Sequence, residues 1–193
     1  MSTTHHTQVV VAYDFTKSAK AALYRAIALA NRAPFHVLHF CCVIEPYGAI
    51  PSLPHHGRVD YGYAERVQQA VTDEVTAELK AASINDRVHF CVHARIGKAA
   101  DEILELARQV GADLIIIGSK GSVGVERLML GSVSERVVRE AHCTVEVARP
   151  KTYEYVELLE LKEVEPHSHY IPPHRYTYDA HTSDLRPADW PLY

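Results

Sequence analysis

Strand-like and helix-like segments alternate along the first 150 residues of this 193-residue chain. Val9-Val-Val-Ala12 is a short β-branched run that leads to Asp14. From Lys17 to Arg32 apolar residues recur at helical spacing, through Ala19, Ala22, Leu23, Ala26, Ile27 and Ala30. Phe35 to Ile44 reads as a second buried strand, and Glu45 to Gly62, with Pro46, Pro51 and Pro54, as a loop. Val67, Val71, Val75, Leu79 and Ala82 form a helical stripe, and Arg87 to Ile96 alternates as a third strand. Ile103, Leu106, Ala107 and Val110 mark a further helix, which Gly111 stops. Asp113 to Ile117 is a fourth strand, Val133 to Ala141 a helix, and Cys143 to Ala148 a fifth strand. Strands that alternate with helices pair in parallel through right-handed crossovers. The predicted fold is therefore α/β, a three-layer, doubly wound, Rossmann-like sheet of five parallel strands with helices on both faces.

Such sheets bind ligands outside the carboxyl ends of their strands, at the point where strand order reverses. Asp14 lies just past strand one and Gly118 just past strand four, neighbours in the usual doubly wound order. From Gly118 the chain runs Gly118-Ser-Lys-Gly121, nine more residues, then Gly131-Ser132-Val133 at a helix start. Glycines let backbone come close to an anion, and the first N–H groups of the helix point at it. A phosphate-bearing ligand is the expectation.

The formal charge of −4 gives no reason to expect nucleic acid as a partner. No stretch approaches the ~18 apolar residues of a membrane span, and the first eight residues lack signal-peptide character. Cys41, Cys42, Cys91 and Cys143 sit in or beside apolar strand-like runs, and adjacent Cys41 and Cys42 point to opposite faces. They read as reduced core cysteines of a cytoplasmic protein. After Pro150 the character changes to tyrosine, histidine and proline. Residues 151–193 hold eight acids against four bases, which accounts for the whole net charge. Two divisions follow: a domain over 1–150, and an extension over 151–193 expected to pack on a surface of its own domain or of a partner subunit. His167-Ser-His169 and His174 raise the thought of metal, but solvated histidines are far commoner, and no metal site is assigned.

The glycine pattern resembles that of the universal stress protein family: Gly, two residues, Gly, nine residues, Gly and then Ser or Thr. Here these are Gly118, Gly121, Gly131 and Ser132. Val11-Ala-Tyr-Asp14, Val37-Leu-His-Phe40, Gly97 and the run from Gly111 to Ser119 match as well, so the resemblance covers Val9 to Arg149. It implies the ATP-binding subgroup and ATP as cofactor, alone or with Mg2+. Asp14 would hold adenine or ribose, and backbone around Ala12 and Phe40, with Tyr13 and Ile117 beside them, would line the adenine pocket. Gly118, Ser119, Gly121, Gly131, Ser132 and Val133 would cradle ribose and phosphates. Lys120 and Arg127, the basic side chains of the loop, are candidates to meet a phosphate, or are simply solvated. The resemblance also implies a homodimer, commonly through the last strand. Glu146 departs from the apolar residue many relatives carry there, and either blocks edge pairing or faces solvent.

Each site residue has a plainer reading. Ser132-Val-Ser-Glu135 fits a capping box, Asp14 suits a helix cap, and Gly118 suits a tight turn. Jointly, on adjacent strand ends, they favour a nucleotide site. No catalytic group is assigned. The chain has no Walker A sequence, no nucleophile elbow, no Ser-Gly-Gly loop and no HExxH. Three functions stay open: a nucleotide-dependent regulatory protein of the stress response, a slow ATPase or autokinase using the same loop, and an interaction module working through residues 151–193.

Overall fold

The computed structural model describes residues 6–32, 36–47, 50, 53–84, 86, 88–119 and 130–150. Five strands, β1 (Thr7–Ala12), β2 (His36–Ile44), β3 (His89–Ile96), β4 (Leu114–Gly118) and β5 (Thr144–Ala148), form one parallel sheet in the order β3-β2-β1-β4-β5. The order reverses between β1 and β4, so the switch point lies at their carboxyl ends. Among the described residues four helices connect the strands: α1 (Lys17–Arg32), α2 (Tyr61–Ala81), α3 (Ala99–Gln109) and α4 (Ser132–Glu140).

Side-chain alternation divides the core into two layers. Val9, Val11, Leu38, Phe40 and Cys42 point to one face, where the buried stripes of α1 and α2 cover them. Val10, Ala12, Cys41, Ile115 and Ile117 point to the other, against α3 and Val137 of α4. β1 is buried on both faces, which is why it reads as a continuous apolar run rather than an alternating one.

Several boundaries differ from the sequence reading, each for a local reason. α2 begins at Tyr61, with Gly62 inside it, because the Asp60 carboxylate accepts the Tyr63 N–H at 2.8 Å and caps the helix. The preceding loop is shorter than expected and is pinned by Tyr63, whose hydroxyl donates to Leu53 O at 2.6 Å and accepts from Ile50 N at 2.9 Å. Gly111 ends α3 as anticipated. Its φ of +62° suits glycine, and the Ala112 N–H returns to the Ala107 carbonyl.

The cysteines divide. Cys41 and Cys42 are buried on opposite faces, and burial pushes both thiols up to about 12. Cys91, expected in the core, is exposed: β3 is an edge strand, and α3 packs over β1 and β2 instead. Cys143 is only partly buried. Glu146 neither faces open solvent nor stands unpaired, since it makes an ion pair with Arg25 of α1. Among the described residues no helix is long and apolar enough to cross a membrane, and no group of three or more His, Cys, Asp or Glu is placed to hold a metal. The extension, with its histidines, lies outside the described residues.

Candidate nucleotide site

At the carboxyl end of β1 the chain turns sharply. Phe15 takes a positive φ of 64°, a conformation that costs a non-glycine residue about 1 kcal/mol or more. Its ring meets Tyr13 edge to face, with centroids 5.2 Å apart. The turn is held by Asp14, whose Oδ1 accepts from both the N–H, at 3.0 Å, and the hydroxyl of Thr16. Thr16 Oγ1 in turn accepts the Ala19 N–H at 3.2 Å and caps α1. Asp14 therefore supports the cap through Thr16 rather than capping directly, and Oδ2 takes no part in that turn. The Asp-x-Thr spacing before a helical run is a local signal for this arrangement.

At the end of β4, Gly118 is present because α1 passes against it. A Cβ there would lie 2.7 Å from the Ser18 carbonyl carbon and 2.8 Å from Ser18 Cβ and O. Gly118 lies in the strand, so close packing accounts for it rather than a tight turn. Ser119 follows, buried, with its N–H donating to the Ala148 carbonyl of β5 at 3.0 Å. The Gly131 N–H donates to the Ser119 carbonyl at 2.8 Å, bringing the start of α4 beside the end of β4. Lys120, Gly121 and Arg127 lie outside the described residues.

The capping box does not form. Gly131, with φ −68° and ψ 156°, is the N-cap of α4, and among the described residues no side chain caps the helix. Ser132 is the exposed first helical residue, and Glu135 pairs with Arg139 at 3.6 Å. The cap falls one residue earlier than a Ser132 cap would place it, because Gly131 is held by Ser119. A first turn with no cap among the described residues is suited to an anion, because its amide groups point outward and the helix dipole favours negative charge there.

The expected residues divide between the two faces. Ala12, Ile117 and Val133 lie together on the α4 side, and the register places Cys41 directly beside Ala12 on that face. Phe40 and Tyr13 point the other way, into the α1 and α2 core. Phe40 is paired in register with Val11 and Val92, so its side chain has no access to the α4 face. Tyr13 is buried, and its hydroxyl makes no hydrogen bond among the described residues. Burial, and then the nearby Glu74 carboxylate, which Lys20 holds at 2.8 Å, raise its pKa. Glu74 thus acts on the phenol's charge without completing a hydrogen bond. Sequence reasoning missed Thr16, Ser18, Cys41 and Ser134. Thr16 carries a local signal, and strand alternation would have pointed to Cys41.

Fold and site together define a doubly wound α/β domain whose switch point joins a carboxylate turn to an uncapped helix start. The family model of the universal stress protein family matches residues 6–149. The chain belongs to the universal stress protein family. It is 30% identical over 146 residues to a universal stress protein of Methanocaldococcus jannaschii, covering 74% of this chain and 81% of the relative. Universal stress protein UspA from Lactobacillus plantarum shares the fold with a TM-score of 0.58 at 23% identity, over 75% of this chain and 99% of that one. A universal stress protein solved in complex with cAMP superimposes with a TM-score of 0.53 at 25% identity, over 75% of this chain and 98% of that one.

Proposed function

We propose that this chain binds an adenine nucleotide at the carboxyl ends of β1 and β4, and that occupancy is the signal of a homodimeric, cytoplasmic regulatory protein of the stress response. The observation that carries the reading is the convergence of the Asp14 turn and the uncapped start of α4 on adjacent strand ends. The complex of a related universal stress protein with cAMP supports an adenine nucleotide. The spacing of Gly118, Gly121, Gly131 and Ser132 favours ATP within that class, alone or with Mg2+. Asp14 Oδ2 would meet adenine or ribose, Ala12, Cys41 and Ile117 would border the base, and the amides of Ser132 and Val133 would meet phosphate. Chemistry at the γ-phosphate would need an activated group, and none is assigned.

Native mass spectrometry of the purified full-length chain with ATP tests nucleotide and assembly together. A dimer carrying one nucleotide per chain is expected, and Gly131→Val should abolish the adduct by adding bulk where backbone meets the ligand. A nucleotide-free protein at saturating ATP would remove the reading. Labelled ATP that survives intact for hours favours binding alone, whereas steady turnover would favour the ATPase.

A further inference from the structure

We infer that Ser134, which lies outside the glycine pattern, is a positioning residue for the nucleotide, holding the first turn of α4 where its amides can meet phosphate. The inference rests on the nucleotide reading above. Ser134 is buried at 3% exposure, on the face of α4 that also buries Val137. An apolar residue is the ordinary choice at such a position, because a buried hydroxyl without a partner is costly. Its hydroxyl lies 2.9 Å from the Gly131 carbonyl and 3.2 Å from the Ser119 carbonyl, so one proton is shared between two acceptors. The first contact is an i to i−3 bond that a helical serine makes by itself. The second spans 15 residues and joins α4 to the end of β4.

Ser119 is where these bonds meet. Its carbonyl accepts from the Gly131 N–H and from Ser134, and its own N–H donates to Ala148 of β5. The start of α4 is thereby fixed against two strands at once. Gly131 has no side chain to set its orientation and no side chain among the described residues caps the helix, so the Ser119–Gly131–Ser134 bonds take over that role. Without Ser134, the bond from the Gly131 N–H to Ser119 is the one tie between the helix start and β4 that remains among the described residues, and the helix start can turn about it. Amide-to-phosphate hydrogen bonds weaken steeply with angle. The loss should therefore fall on phosphate contacts and spare those to the base.

Calorimetric titration of the full-length protein with ATP and with adenosine, for wild type, Ser134→Ala and Ser134→Thr, is the test. Ser134→Ala should weaken ATP about 5- to 10-fold, the worth of one buried hydrogen bond, while adenosine affinity stays within about twofold of wild type. Ser134→Thr, which keeps the hydroxyl, should restore ATP binding. If the alanine variant fails to fold, Ser134→Cys, similar in size with a weak donor, carries the same comparison. Equal losses for both ligands, or no loss for either, would overturn the role of Ser134. Wild-type protein that binds neither compound would remove the nucleotide reading, and the inference with it.

Discussion

Gly118→Ala puts the origin of the glycine pattern to a direct test. Resemblance gives this glycine to the ligand, whereas the structure gives it first to α1. An added Cβ would lie 2.7 Å from the Ser18 carbonyl carbon. To reach the 3.4 Å of ordinary contact, the first turn of α1 must retreat by about 0.7 Å. Two of the three close atoms are backbone, so a change of side-chain rotamer cannot relieve them. Overpacking of this kind costs about 1–3 kcal/mol, to be set against a total stability of about 5–15 kcal/mol.

Urea unfolding of the nucleotide-free protein measures the loss without interference from ligand. A lower midpoint with an unchanged slope is expected. In thermal melts each kcal/mol should appear as a fall of about 2–4 °C for a domain of this size. Ser18→Gly in the alanine background should recover only part of the loss, because the backbone contacts stay. Moving α1 also moves Thr16, and with it the carboxylate of Asp14, so nucleotide binding should weaken in step with stability. A variant as stable as wild type that has lost nucleotide affinity would refute the packing argument and return Gly118 to the ligand.

Other consequences concern the polar groups of the core. His39 Nε2 donates to Gln8 Oε1 at 2.8 Å, which leaves Nδ1 to accept from His93 Nε2 at 3.1 Å, so the pair cannot take up two protons and keep both bonds. Burial lowers both pKa values, and His39 and Arg95 lower that of His93 further. Because the folded values lie below the unfolded one, the unfolded chain binds more protons. Stability should therefore be fully present above about pH 6.5 and be lost as pH falls through the lowered folded values. Urea midpoints from pH 7.5 to 5 check this, and a Gln substitution at both histidines should flatten the profile. Tyr13→Phe removes a buried hydroxyl that makes no hydrogen bond among the described residues, so its unfolding free energy should equal wild type or exceed it by about 1 kcal/mol. A loss beyond that would show that the phenol is engaged in solution. The ion pair of Arg25 with Glu146 is partly exposed, and a double-mutant cycle should give a coupling of about 0.2–1 kcal/mol that shrinks in salt.

How far the site could be read in advance depends on the distance over which each residue finds its partner. Strand and helix periods are local, so the layers and the opposed faces of Cys41 and Cys42 were legible in the sequence. The meeting of β1 and β4 was legible too, because the crossover rule constrains topology strongly. The capping box failed by one residue. A serine followed three residues later by glutamate is a local signal, and Gly131 is claimed by Ser119 from outside that window. The partner of Gly118 is Ser18, 100 positions away, and Glu146 finds Arg25 across 121. Neither pairing leaves a trace in periodicity, so Gly118 reads as a turn and Glu146 as a charge that blocks edge pairing or faces solvent.

Ser134 is inconspicuous in the sequence for the same reason, whereas Ser132 is not. Ser132 adjoins the last glycine, and its place in the pattern marks it. Ser134 sits at a position that α4 buries, where a serine is unremarked unless its partner is known. That partner is a carbonyl, and a carbonyl carries no sequence signature because every residue has one. A glycine-rich pattern records where backbone must come close to a ligand. It does not record the bonds that hold the backbone there, and at this switch point those bonds converge on the Ser119 carbonyl.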